Sequence, residues 1–109
     1  MLFCIQCRDN GNQEKSRLAY LNEHLSWVSL HLEVIKVAGP LRDKKEKITG
    51  SLYVLEAGNE SLAMQFIQSD PYYQADIWHH VSCDEFSAYA GEWVGGKNWP
   101  GSTTNDNKR

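Results

Sequence analysis

"ITGSLYVLEA" (residues 48–57) reads as a strand, yet both of its faces carry bulk. Successive strand side chains point to opposite faces. Ile48, Leu52 and Val54 therefore fall on one side, with Tyr53 and Leu55 on the other. A strand of this kind is covered on both faces. Gly58-Asn59 ends it, and Glu60–Ile67 follows with Leu62, Ala63, Phe66 and Ile67 at helical spacing. Before it stands "LRDKKEK" (41–47), with six charged residues in seven. Its "RDKKEK" part (42–47) reads as a solvated hairpin loop. The competing reading is a cationic lid that recruits an anionic substrate, in which Arg42, nearest the Gly-Pro turn, matters most.

Further out, "LFCIQC" (2–7) is a short β-rich run closed by the turn-like "RDNGN". Residues 13–32 predict one long helix, because Leu18, Leu21, Leu25, Val28 and Leu32 recur every three or four positions as an apolar stripe. Asn12, or Asn10 before it, is placed to cap that helix. "EVIKVAG" (33–39) is a second strand, closed by Gly39-Pro40, and "WHHVSCDEF" (78–86) is the fourth. The order β-α-β-β-α-β is that of the ferredoxin-like α+β fold, an antiparallel sheet with two helices on one face. Two helices cover only one face. The simplest cover for the other is a second copy, which predicts a two-fold homodimer joined through its sheet faces.

The chain has 109 residues, which is one domain, and 41% of them are hydrophobic. A net charge of −3 gives no basic field of the kind nucleic-acid binders use, so nucleic acid is not an expected partner. The longest apolar runs fall far short of the roughly 20 residues of a membrane span. "MLFCIQCRDN" (1–10) lacks the basic region and long apolar stretch of a secretory signal, and the expected location is the cytoplasm. Residues 1–88 form the expected domain, with 89–109 as a C-terminal extension. Within it "YAGEWVGGKNWPG" (89–101) carries two tryptophans between glycines and reads as a segment that docks over the dimer seam or the neighbour's pocket, with simple surface packing as the alternative. The polar end "GSTTNDNKR" (101–109) reads as mobile.

Cys4 and Cys7 make a C-x-x-C, but they lie within a strand, where residues three apart point to opposite faces. They read as buried thiols, as does the unmated Cys83. His24 and His31 are two helical turns apart, about 10 Å, too far to share an ion. His79 and His80 alternate faces. No metal and no cofactor is expected.

"QSDPYYQADIW" (68–78) places an acid where the second helix would aim its apolar side. Asp70 follows Phe66 by four residues and Ile67 by three, and Pro71 turns the chain away from helical geometry there. A lone carboxylate at the rim of a core is costly without a partner. His24, three residues after Leu21 and four before Val28, flanks the stripe of the first helix and can reach the gap between helix and sheet. A His–Asp pair meeting there moves protons near neutral pH. Tyr72 and Tyr73 come next and supply phenolic donors or an aromatic wall. Gly39 and Pro40 at the end of strand two, and Gly50-Ser51 in strand three, offer close backbone approach and a hydroxyl donor. "TGSLY" is not a nucleophile elbow.

In order and spacing, "LNEHLSWV", "VAGPL", "TGSLYVLEA" and "QSDPYYQADIW" resemble the YciI-like (YCII-related) family over about residues 1–86. The resemblance implies a ferredoxin-like fold paired as a dimeric α+β barrel, with His24 and Asp70 as its His–Asp pair. It also implies chemistry of the dehydrochlorinase type or, in the wider superfamily, lactone isomerisation. The expected function is a small-molecule lyase or isomerase in which His24 moves a proton, Asp70 orients it, and Gly39, Pro40, Arg42, Ser51, Tyr72 and Tyr73 hold a small organic acid or lactone. The alternative is a non-catalytic dimeric module that binds a small metabolite in the same cleft.

Overall fold

In the first strand Phe3, Ile5 and Cys7 are buried, and Leu2, Cys4 and Gln6 between them are only partly covered. This alternation fixes which face of the sheet meets the helices. The computed structural model describes residues 1–102. Its elements run β1 (Leu2–Arg8), α1 (Glu14–Ala19), α2 (Leu21–Leu30), β2 (Ile35–Arg42), β3 (Ile48–Glu56), α3 (Glu60–Gln68), α4 (Pro71–Gln74) and β4 (His80–Phe86). A small ribbon of β5 (Ala90–Gly91) and β6 (Gly96–Lys97) follows. The strands order as β2-β3-β1-β4, every pair antiparallel, which is the ferredoxin-like arrangement. Ile5, Tyr53, Leu55, Trp27, Ala63, Ile67 and Ile77 meet in the core. No helix among the described residues is long and apolar enough to cross a membrane.

The structure corrects several expectations. The first helix is two helices, broken at Tyr20 (φ −108°, ψ 11°). The Tyr72 hydroxyl takes the Arg17 carbonyl at this break (3.1 Å), and the Arg17 guanidinium reaches the Ile48 carbonyl, so α1 is held to β3 and α4. Asn12 does not cap it. Gln13 stands at the helix start, and Asn10 Oδ1 accepts from Asn12 N and Gln13 Nε2 in the preceding turn. The leucine stripe is not core either: Leu18 is 68% exposed, Leu25 50% and Leu32 65%. The buried residue of α2 is Trp27, whose indole donates to Ser69 Oγ at 2.9 Å. Leu62 likewise points outward from α3, which Asn59 caps through Leu62 N.

Strand two does not close at Gly39-Pro40 but continues to Arg42. β2 is an edge strand, where the missing N–H of Pro40 breaks no ladder needed by a further neighbour. A register shift at Leu41/Arg42 follows, and Ile48 then lines the helix-side cleft with Ser51 and Tyr53 rather than sharing the face of Leu52 and Val54. The charged stretch is a hairpin turn, with Asp43 Oδ1 accepting from Lys45 N and Lys47 N. β4 starts at His80, two residues later than expected, and Trp78 packs in the core. In the aromatic segment Trp93 is 85% exposed on the turn joining β5 to β6 and Trp99 41% exposed, within the single chain. The expected mobile end lies largely outside the described residues.

Gly50 pairs with Arg8, and a Cβ there would stand 2.2 Å from the Cys7 carbonyl oxygen. Glycine is what lets β3 approach β1 beside the cleft. Gly39 has open space around the same position. Gly50→Ala is therefore expected to lower unfolding free energy by about 1–3 kcal/mol, as overpacking does. Gly39→Ala should stay within about 0.5 kcal/mol. Urea midpoints of the two variants check the contrast.

Candidate active site

Asp70 has the extended backbone (φ −67°, ψ 129°) that a following proline favours, and it caps α4 by accepting from Tyr72 N at 2.9 Å. This directs its carboxylate inward, where the residue is 1% exposed. His24, on α2, brings Nδ1 to 2.8 Å from Asp70 Oδ1. Tyr53, on the helix side of β3, donates its hydroxyl to Oδ2 at 2.8 Å. Three donors from three elements thus surround one buried carboxylate, which is the condition for keeping such a charge inside a core.

With Nδ1–H given to Asp70, the Nε2 of His24 is the nitrogen left with a lone pair. The imidazole lies flat on the Tyr72 ring, centroids 3.9 Å apart and planes within 1°. Carboxylate and aromatic face together fix the tautomer and orientation of the ring. Burial, then the charge and hydrogen bond of Asp70, push the Tyr53 phenol well above its ordinary range, so it stays a donor. Cys7 lies under the same carboxylate; burial and the Asp70 charge push its thiol from 9.0 up to about 12. The three thiols are free, and Cys4 faces away from Cys7, only partly covered.

His24 opens onto a cleft of about 320 Å³ between α2 and the sheet. Leu21, Leu25, Val28, Pro40 and Ile48 form its apolar walls. Four expected ligand-contact residues, Gly39, Pro40, Ser51 and Tyr72, line it. Arg42 lies instead on an adjoining cavity of about 330 Å³ that shares Arg17, Leu21, Ile48 and Tyr72 with the first. Tyr73 packs against the core and is not part of the lining. Tyr53 and Arg17 went unnoticed in the sequence. Tyr53 carried a signal, since a phenol on the helix side of a buried strand needs a partner. Arg17 carried little, sitting beside a stripe in a charged stretch.

The family model of the YCII-related domain matches residues 1–87. Among solved structures, the chain is similar to 5-chloro-2-hydroxyhydroquinone dehydrochlorinase (TftG) from Burkholderia phenoliruptrix AC1100, in complex with 2,5-dihydroxybenzoquinone. The TM-score is 0.73 at 23% identity, over 84% of this chain and 97% of that one. At that identity the likeness shows the fold. An uncharacterized NIPSNAP domain protein from Burkholderia xenovorans aligns with TM-score 0.44 and 14% identity, over 84% of this chain and 99% of that one. No curated protein matches the chain.

The raised Cys7 and Tyr53 groups carry a pH signature. Both hold a proton in the folded state that the unfolded chain releases more readily, so their stabilisation is complete below the unfolded thiol value of 9.0. It is lost as pH climbs toward the folded Cys7 value of about 12. The urea midpoint should fall steadily from pH 9 upward, and Cys7→Ala should make that fall shallower.

Proposed function

This chain belongs to the YCII-related (YciI-like) family, and we propose that it is a small-molecule lyase or isomerase in which His24 is the general base. One observation carries this: an imidazole held at 2.8 Å by a buried carboxylate faces an apolar cleft large enough for a single ring. The dehydrochlorinase of like fold is a lyase acting on a small chlorinated ring compound, and that supports the reaction class. In the step we propose, Nε2 takes a proton from a carbon or hydroxyl next to an unsaturated centre. The electron pair left behind forms the new π bond, and either a leaving group such as chloride departs with its own pair or the proton returns at another carbon. Asp70 keeps Nδ1 protonated and stabilises the imidazolium. Ser51, which lines the cleft, is the residue we assign to donate to a carbonyl oxygen of the substrate.

The functional unit we propose is a homodimer. Leu2, Cys4, Leu52 and Val54 are half-buried on the sheet face away from the helices, and Val37 is 36% exposed beside them. A second sheet laid on this face would cover them.

The test is turnover of chlorinated hydroquinones, followed by chloride release, and of small lactones, followed by deuterium uptake from heavy water. His24→Ala and Asp70→Asn are each expected to slow the active compound by about 10²–10⁴-fold while the fold is retained. Full activity in His24→Ala would sink the base assignment. A ligand held tightly in the cleft but never converted by wild type would make the chain a binding module.

A further inference from the structure

Apart from His24, Ser51 and the two tyrosines, the cleft has one polar side chain that the proton-transfer scheme does not use. Arg17 lies in the wall between the two cavities and lines both. Its side chain is only 11% exposed. One arm of the guanidinium pairs with Asp9 Oδ2, and Nη2 donates to the Ile48 carbonyl at 2.5 Å. Asp9 is itself fully buried on its side chain and accepts from Gly11 N at 2.7 Å. The arginine is thus set in place from the sheet side, by β3 and the turn after β1. A guanidinium has five N–H donors. The two bonds named use part of that set, and the rest are available to whatever enters between the cavities.

Other cations stand nearby, but in water. Arg42 Nη1 donates to the Glu46 carbonyl and Lys47 Nζ to the Gly11 carbonyl, both on exposed residues, with Glu14 and Glu46 along the same lining. Exposed charges are screened and weak, whereas a nearly buried fork of donors recognises a planar pair of oxygens strongly and in one orientation. The Tyr72 hydroxyl, bonded to the Arg17 carbonyl at 3.1 Å, ties this residue to the ring that stacks on His24.

Resting on the small-molecule reading above, we infer that Arg17 is the anion anchor of the cleft. The substrate class is then a ring-sized apolar body bearing an ionised oxygen group, a carboxylate or an enolate. Arg17 holds the anionic end, the leucine and proline walls hold the body, and His24 meets the carbon or hydroxyl to be deprotonated. Asp9 both positions the guanidinium and competes with the ligand for it. That competition gives substitutions at the two positions opposite effects.

The experiment is an NMR titration of the full chain with benzoate and with its uncharged methyl ester, mapping shifts at the cleft residues. Wild type is expected to bind benzoate about tenfold or more tighter than the ester, the worth of a charged hydrogen-bond pair. Arg17→Gln should erase this preference while changing ester affinity by no more than roughly threefold. Asp9→Asn, which removes the competitor, should tighten benzoate. Arg17→Lys keeps the charge without the fork and should keep part of the preference, and it decides the matter with Asp9→Asn if Arg17→Gln does not fold. Equal weakening of both ligands by Arg17→Gln and Asp9→Asn would make the pair a purely structural one and overturn the inference. So would wild type binding the ester as tightly as benzoate, with the small-molecule cleft itself left standing. Binding of neither compound at the cleft would remove the small-molecule reading and this inference with it.

Discussion

A carboxylate buried to 1% exposure is the constraint around which the helix side of this protein is organised. Taking such a charge out of water costs several kcal/mol unless donors replace the solvent. Here the donors are an imidazole from α2, a phenol from β3 and a backbone amide from α4. Oδ1 is shared by the imidazole and the amide, and Oδ2 has the phenol, so moving Tyr53 would leave a buried oxygen unpaired and moving either of the others would leave Oδ1 with one donor. The packing of α2 on the sheet and the turn at Asp70-Pro71 are thereby coupled. The same bonds that satisfy the buried carboxylate settle which imidazole nitrogen is free. Packing and imidazole orientation are carried by one set of contacts.

The leucine stripe shows a second constraint. A helix face that repeats apolar residues at 3.6-residue spacing is normally core. Here Trp27 and, partly, Val28 meet the core, while Leu21 and Leu25 form walls of a cleft. A cleft for a small apolar body needs such side chains partly uncovered. The exposed area of the stripe does not cost the fold, because Trp27 seats the helix through its ring against Phe66 and Tyr53 and its indole N–H on Ser69, with the His24–Asp70 bond beside it.

What the sequence disclosed divides along physical lines. Strand and helix order were legible because period two and period 3.6 are local properties, and the ferredoxin-like topology follows from that order. Asp70 was legible because an acid at a core position followed by proline is a local contradiction that only tertiary contact resolves. His24 was legible as its partner from its place beside the stripe. Tyr53 was placed on the right face of β3 but not assigned, since its acceptor lies 17 residues away on another element. The break at Tyr20 was not legible at all. It coincides with a hydroxyl 55 residues on in the chain reaching a helix carbonyl, and no window of local sequence contains both. The extent of β2 past Pro40 was missed for a similar reason: proline is acceptable only on an edge, and edge position is a property of the whole sheet.

Tyr72 touches each of the three parts of the site. Its amide caps onto Asp70, its ring lies under His24, and its hydroxyl holds the carbonyl of Arg17 where the helix breaks. Burial holds that hydroxyl above its ordinary titration range, so it remains a donor at neutral pH. A continuous helix from 14 to 30 would carry Arg17 and His24 on one straight axis, separated by about 10 Å of rise. Breaking it at Tyr20 gives the two residues separate supports: α1 follows the Arg17 bonds to the end of β3, and α2 follows Trp27 and Asp70 into the core. The positions of guanidinium and imidazole are then set by different contacts, with one tyrosine spanning the gap between them.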